Sequence, residues 1–260
     1  MSGGILSFPL TINALFAKFG TNKVIGVMKK VIALLFSVMF FLSSGFDAYS
    51  QVTQSYMARL KEEALAGKAA SQYALACYFA SGTGCEQDYV EAARLFRLAA
   101  EQGHDGAECN LGWYYYVGRG VEQDYVKAVM WLARAAGQDN YYAVNDLALC
   151  YAGGHGVPKN DSLAIAYFRR AADHGNSMAQ YNLGCRYLNG HGIPMDYKIA
   201  AELFAKSAKQ NYSPAQYQLG FCYEVGAGVE INVAKAIKYY KLAAQQGEEL
   251  AERALMRLGK

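Results

Sequence analysis

The sequence has almost no excess of charge. Its 260 residues carry 25 lysines and arginines against 22 aspartates and glutamates, a formal net charge of +3 at pH 7, and the basic residues form no blocks. A nucleic-acid surface or an anionic-membrane surface needs a basic patch or stripe. The composition therefore argues against both kinds of partner.

Common catalytic motifs are also missing. The sequence contains no Ser-x-x-Lys, no Gly-x-Ser-x-Gly and no His-Glu-x-x-His, so neither a serine nucleophile with its base nor a zinc-binding helix can be assigned. His155 and His191 are 36 residues apart, in equivalent turns of the repeat described below. Neighbouring helical units lie about 10 Å apart, whereas zinc holds each imidazole nitrogen at about 2.0–2.1 Å. We predict solvent-exposed turn histidines, no metal site and no cofactor.

The first 50 residues lack an apolar run long enough to cross a bilayer. Lys29 and Lys30 precede an apolar run over residues 31–42, and small residues follow as far as Ser50. This run is shorter than the roughly 20 residues that a membrane-spanning helix needs, and the pattern is typical of a signal peptide. We predict an upstream extension without function at 1–27, a signal peptide at 28–50 and an exported protein, periplasmic or secreted. After cleavage the chain would have no membrane association; an uncleaved anchor is the alternative.

The rest of the chain repeats every 36 residues. A shift of 36 aligns five glycine pairs, one Gly-x-Gly in each unit, and also aligns recurring leucine, aromatic and alanine positions. A period of this length is typical of a solenoid. The aligned glycines and leucines are Gly82, Gly84, Gly118, Gly120, Gly154, Gly156, Gly190, Gly192, Gly226 and Gly228, with Leu75, Leu111, Leu147, Leu183 and Leu219.

Each unit is predicted to be a pair of helices, because its apolar residues recur at spacings of three and four on both sides of the Gly-x-Gly turn. Short polar residues before the second helix are expected N-caps, and Gly, Asn or Asp after it are expected left-handed helix ends. The predicted fold is an all-α, right-handed superhelical α/α solenoid of helix-turn-helix repeats. Five repeats occupy 67–246, with capping helices at 51–66 and 247–260. The predicted N-caps are Asp88, Asp124, Asn160, Asp196 and Asn232.

Residues 107–124 read Ala-x-x-x-Leu-Gly-x-x-Tyr-x-x-Gly-x-Gly-Val-x-x-Asp. This segment resembles the Sel-1-like repeat, a relative of the tetratricopeptide repeat. The resemblance implies a monomeric adaptor or scaffold whose first helices line a concave surface that binds an unknown protein or peptide partner. Large aromatic side chains dominate binding hot spots, and asparagine amides can hold a peptide backbone. The predicted partner-binding residues are Tyr73, Asn110, Trp113, Tyr116, Asn145, Tyr181, Asn182, Tyr217 and Phe221; packing between neighbouring first helices is the other explanation for their aromatic members.

Six cysteines in an exported chain would ordinarily indicate disulfides. The cysteine-rich secreted branch of the resembled family pairs cysteines between a second helix and the following first helix, but here the second-helix ends carry alanine. We therefore expect mostly free, small apolar core residues. Some members of that branch are labelled β-lactamases, so a secreted amide hydrolase is the alternative function.

Overall fold

The computed structural model describes residues 55–260, and the predicted extension and signal peptide lie outside that range. Residues 55–65 are helical (α1), and Leu60–Lys260 form one compact unit. The helices that follow are α2 (Ala69–Ser81), α3 (Tyr89–Glu101), α4 (Asp105–Val117), α5 (Tyr125–Gly137), α6 (Tyr141–Gly153), α7 (Asp161–Asp173), α8 (Ser177–Asn189), α9 (Tyr197–Lys209), α10 (Ser213–Val225), α11 (Val233–Ala244) and α12 (Glu249–Arg257).

Within residues 55–260 the secondary structure is all helical, and each helix of the compact unit packs mainly on its neighbours in the chain. The predicted all-α solenoid is therefore confirmed. Five helix pairs, from α2/α3 to α10/α11, are the repeats. In the same range, no helix combines the length and apolar character that crossing a bilayer requires.

The turn between the two helices of a repeat has the predicted caps. In the second repeat, the carboxylate Oδ1 of Asp124 accepts a hydrogen bond from the backbone N–H of Lys127 at 3.0 Å. The backbone N–H of Asp124 donates to the carbonyl of Tyr115 at 2.9 Å, which ties the second helix to the first. Asp139 and Asn211 end their second helices with φ of 60° and 65°, as predicted. Capping of this kind stabilises a helix by about 1 kcal/mol.

The second glycine of the turn touches the preceding repeat, which the sequence did not indicate. Gly120 has a φ of 64°, and a Cβ atom on it would overlap the backbone carbonyl of Tyr89 at the start of α3. Gly156 and Gly228 make the same close approach to Tyr125 and Tyr197. Glycine is needed here both for its backbone conformation and for the contact between repeats.

One carbonyl near the end of α1, α3, α5, α7 and α9 is capped by a side chain from the repeat that follows. In the first, fourth and fifth repeats the donor is a first-helix glutamine; Gln72, for example, donates to the carbonyl of Ala64 at 3.2 Å. The second repeat has Glu108 at that position, which cannot donate, and Arg134 donates to the carbonyl of Ala100 at 3.3 Å instead. The third repeat has Val144 there, and Arg170 donates to Ala136 at 3.1 Å. Glutamine or arginine thus donates to the equivalent carbonyl, which has no hydrogen-bond partner within its own helix.

Candidate functional site

A concave cavity of about 470 Å³ opens on the face formed by the first helices. Its walls come from α2, α4, α6 and α8 and from Tyr212, the N-cap of α10. Four repeats, and Tyr212 at the junction with the fifth, therefore meet around one space, which requires the solenoid to curve toward this face. The lining residues are Tyr73, Gly106, Cys109, Asn110, Trp113, Asn140, Tyr142, Asn145, Asp146, Leu149, Met178, Asn182 and Tyr212.

Aromatic rings form the walls of the cavity. The Trp113 side chain is 37% exposed, and the ring of Tyr116 stacks against one of its faces at a centroid distance of 5.6 Å. Tyr73 is half-buried and stacks on His104 at 4.4 Å, while Tyr142 stands exposed at the rim. Burial raises the pKa of Tyr73 to about 12, so its hydroxyl stays protonated at neutral pH. The rings are held by neighbours and need little reorganisation to accept a ligand.

A short chain of polar side chains crosses the cavity. The amide nitrogen of Asn182 donates to the carbonyl oxygen of Asn145 at 2.9 Å, and the amide nitrogen of Asn145 donates to the carboxylate Oδ1 of Asp146 at 3.0 Å. Asn145 is only 1% exposed. It therefore fixes the positions of Asn182 and Asp146, and most of its amide is occupied by these bonds.

Asp146 supplies the cavity's only carboxylate, and none of its described lining residues is a lysine, arginine or histidine. Burial raises the pKa of Asp146 to about 6, although the hydrogen bond from Asn145 opposes this shift. The carboxylate is thus mostly ionised at neutral pH. Its negative charge adds to the effect of burial in raising the pKa of Cys109, Cys150 and Tyr116. Asp146 therefore gives the lining of the cavity a single negative charge.

The nine predicted partner-binding residues fall into two groups. Tyr73, Asn110, Trp113, Asn145 and Asn182 line the cavity. The other four lie outside its lining: Tyr116 behind Trp113, Tyr181 against Phe204 and Tyr212, Tyr217 against Tyr240, and Phe221 at an exposed position on α10.

Sequence reasoning missed Asp146, Tyr142, Met178 and Tyr212. Asp146 immediately precedes the repeated leucine, at a position that the alignment of repeats could have drawn attention to. Its equivalents in the other repeats are neutral, so Asp146 is the one charged residue in the column Ala74, Asn110, Asp146, Asn182 and Gln218.

The prediction that both turn histidines are solvent-exposed is wrong for His155. His155 is half-buried, with its ring stacked on Tyr125 at 4.8 Å and its Nδ1 atom 2.8 Å from the hydroxyl of Tyr116. These aromatic partners come from the preceding repeat, which explains why the turn sequence alone did not reveal them. His191 is exposed, as predicted. Across residues 55–260 no three His, Cys, Asp or Glu side chains are grouped as metal ligands.

All six cysteines lie within the described residues and have free thiols. Cys109, Cys150 and Cys222 are buried, and the other three are half-buried. Burial raises the pKa of Cys109 to about 12, with smaller contributions from the charges of Asp146 and Asp105. The thiol at the cavity wall therefore stays protonated and is a poor nucleophile.

Comparison with known proteins agrees with this architecture. The family profile of the Sel1 repeat matches residues 69–104, 106–140, 142–176, 177–212 and 213–248. Proteins built from these repeats are generally protein-interaction scaffolds. A search of curated protein sequences found no relative.

Several solved structures are similar. A Sel1 repeat protein from Oxalobacter formigenes is 33% identical with a TM-score of 0.68, over 78% of this chain and 58% of its own. A protective antigen of uropathogenic Escherichia coli strains, displaying an SLR fold, is 35% identical with a TM-score of 0.62, over 78% of this chain and 43% of its own. This chain thus spans about half the length of each. An immunity protein from Pseudomonas aeruginosa is 27% identical with a TM-score of 0.52, over 70% of this chain and 67% of its own. With five consecutive matches and these structural neighbours, the chain belongs to the Sel1 repeat family.

Proposed function

We propose that this protein is an exported scaffold that holds a partner protein by an extended peptide segment seated in the first-helix cavity. The observation that carries the proposal is the convergence of four repeats, and of Tyr212 at the junction with the fifth, on one cavity with aromatic walls and fixed amide groups. Rigid aromatic side chains contribute much contact area with little loss of conformational entropy, and amides pair with a peptide backbone.

The chemistry of the cavity favours binding over hydrolysis. The alternative of an amide hydrolase needs an activated nucleophile beside a base. The thiol of Cys109 has its pKa raised to about 12. Its neighbours in the lining are amides, tyrosines and the carboxyl of Asp146. These groups can orient a peptide, and the proposal assigns them that role.

Site-directed photocrosslinking in the native host tests this function. A photoreactive phenylalanine analogue replaces Trp113 in the cavity or, as the control, Val126, which is 67% exposed on α5 and outside the cavity lining. We expect a partner protein to crosslink to position 113, and we expect that protein not to crosslink to position 126. Crosslinks from position 126 alone, or from neither position, would contradict the proposal.

Export is a separate part of the proposal, based on the signal-like sequence that ends at Ser50. The expected mature protein begins at Gln51. N-terminal sequencing of the protein recovered from cell fractions checks this expectation, and a mature chain that still contains residues 31–42 would contradict it.

A further inference from the structure

The carboxylate of Asp146 lacks a cation of the kind that two other carboxylates on first helices, Glu108 and Glu224, have. The side chain of Glu108 is 1% exposed, and its carboxylate pairs with Arg134 at 2.8 Å and accepts a hydrogen bond from Gln138 at 2.7 Å. Glu224 pairs with Arg257 at 2.7 Å and accepts from the hydroxyl of Tyr240 at 2.7 Å. Within residues 55–260, Asp146 has no cation within 4.0 Å and accepts one hydrogen bond, from the amide of Asn145.

The fold itself does not need this charge. The equivalent positions of the neighbouring repeats carry Asn110 and Asn182. An asparagine oxygen at position 146 can accept the same hydrogen bond from Asn145 without the free-energy penalty of burying an ionised group. The carboxylate is therefore best explained by something that enters the cavity from outside.

The surroundings of Asp146 suit a long cationic side chain. Trp113, Tyr73 and Tyr212 offer ring surfaces, to which ammonium and guanidinium groups are attracted. Leu149 and Met178 offer apolar surface for the methylene stem of such a side chain. An incoming cation would meet no positively charged residue among the lining residues of the described chain.

We propose that the cavity receives a lysine or arginine side chain of the partner, with the carboxylate of Asp146 as its counter-charge. This inference rests on the proposed scaffold function and specifies the chemistry of the segment that the scaffold holds. It makes Asp146 the specificity-determining residue, while the aromatic rings and amides bind the rest of the segment.

Blocked tripeptides with a single central residue test the proposal. The probes are acetyl-Ala-X-Ala-amide, where X is arginine, lysine, glutamate or citrulline; citrulline has the shape of arginine without its charge. The chain has two tryptophans, so the indole N–H signal of Trp113 in a ¹⁵N-labelled full chain can be assigned with a Trp113→Phe variant and followed by NMR titration. We expect saturable shifts with arginine and lysine, and at least roughly tenfold weaker binding of citrulline and glutamate, a difference of about 1.4 kcal/mol.

Two variants with the same change of charge complete the test. Asp146→Asn should weaken binding of the arginine peptide by roughly tenfold or more, whereas Glu230→Gln, at an exposed turn, should leave it unchanged. Circular dichroism and the thermal midpoint confirm that both variants are folded. Equal binding of arginine and citrulline, unchanged arginine binding by Asp146→Asn, or no shift at about 10 mM arginine or lysine peptide would overturn the proposal.

The dependence of binding on pH gives a further check. Binding of the arginine peptide to the natural chain should weaken between about pH 7.5 and pH 5, because the carboxyl of Asp146, with its pKa near 6, becomes protonated. Asp146→Asn should remove this dependence; if the variant kept it, another group would be responsible. The other titratable groups near or lining the cavity are Asp105, Cys109, Tyr116, Cys150, Tyr73, Tyr142 and Tyr212, together with His104, which stacks on Tyr73, and His155, whose Nδ1 lies 2.8 Å from the hydroxyl of Tyr116.

The outcomes also separate this inference from the proposed function. If photocrosslinking from position 113 succeeds while the peptide titrations fail, the cavity holds a partner but not through a cation. If both fail, the scaffold proposal fails with it.

Discussion

Asp146 combines two properties that conflict in most folded proteins: it is ionised at neutral pH and it is poorly solvated. A pKa raised from 3.8 to about 6 means that the ionised carboxylate destabilises the folded state by roughly 2–3 kcal/mol at pH 7, because each pKa unit corresponds to about 1.4 kcal/mol. The folded state binds the proton more tightly than the unfolded state. The contribution of the Asp146 carboxyl to the free energy of unfolding therefore rises as pH falls from about 6 to about 4.

We predict that Asp146→Asn raises the free energy of unfolding by about 1–3 kcal/mol at pH 7. The gain should shrink toward pH 4, where the natural carboxyl is protonated in the folded state. Urea unfolding at both pH values, followed by circular dichroism, measures the effect. Glu230→Gln is the control for loss of one negative charge, and a destabilised Asp146→Asn variant would show that the carboxylate supports the fold after all.

Gly120 and Gly103 have similar backbone conformations but different surroundings. A Cβ atom on Gly103, where φ is 84°, would have no other atom within 4 Å, whereas one on Gly120 would meet the carbonyl of Tyr89. We predict that Gly103→Ala lowers stability by about 1–2 kcal/mol through backbone strain alone. Gly120→Ala should lower it by clearly more. Thermal midpoints of the two variants check the ranking, and equal losses would mean that the contact between repeats adapts easily.

The conformation and surroundings of single residues could be predicted from the sequence only where they depend on neighbouring residues in the chain. The N-caps and left-handed helix ends follow from short polar residues and glycines beside amphipathic stripes, and they were predicted. His155 was misjudged because Tyr116 and Tyr125 belong to the preceding repeat. Contacts between repeats depend on how one unit is rotated against the next, which the local pattern does not specify.

At the level of helices, the two positions that supply the side-chain cap for α1, α3, α5, α7 and α9 are expected to form a coupled set. In the first repeat the set is Gln72 with Leu98, and in the second it is Glu108 with Arg134. Sequence analysis did not find this pairing, because the first-helix position holds glutamine, glutamate or valine, which share no obvious chemistry. The relation appears only in the structure, where an arginine donates to the carbonyl whenever the first-helix residue cannot.

We predict that Arg134→Leu alone lowers stability by about 3–5 kcal/mol, because it leaves the buried carboxylate of Glu108 without its cation. The double variant Glu108→Gln with Arg134→Leu should recover most of this loss, because it reproduces the arrangement of the first repeat. A double-mutant cycle by urea unfolding measures the coupling. Additive losses in the double variant would contradict the coupled set.

For the whole molecule, the sequence predicted the number and type of repeats but not the site they create together. Tyr73 belongs to the first repeat and Tyr212 lies at the junction with the fifth, yet both line one cavity. Their approach depends on curvature that accumulates over the array, and a small rotation between units changes it. This is why Asn110 and Trp113 line the cavity, while Tyr217 and Phe221, which the sequence placed on the same surface, do not.

Stability in a solenoid is transmitted mainly between neighbours. The C-terminal helix α12 is anchored by Arg257, which makes two contacts to the carboxylate of Glu224, at 2.7 and 2.8 Å. We predict that Arg257→Met speeds amide hydrogen exchange in α11 and α12 and leaves α2 to α5 unchanged. Exchange measured by mass spectrometry tests this prediction, and a uniform increase along the chain would show that the array unfolds as a single unit.

Some of the side chains that join one repeat to the next donate to a backbone carbonyl, which every preceding unit presents whatever its sequence. For these bonds a unit needs no particular side chain in the unit before it, whereas Asn182 and His155 contact specific side chains, Asn145 and Tyr116, of the preceding repeat. Gene duplication, or a protein engineer, that moved the Asp146 repeat along the array would keep the carbonyl bonds and would have to match side-chain contacts such as those of His155 and Asn145. The order of the repeats in the chain then determines where in the cavity the charge lies.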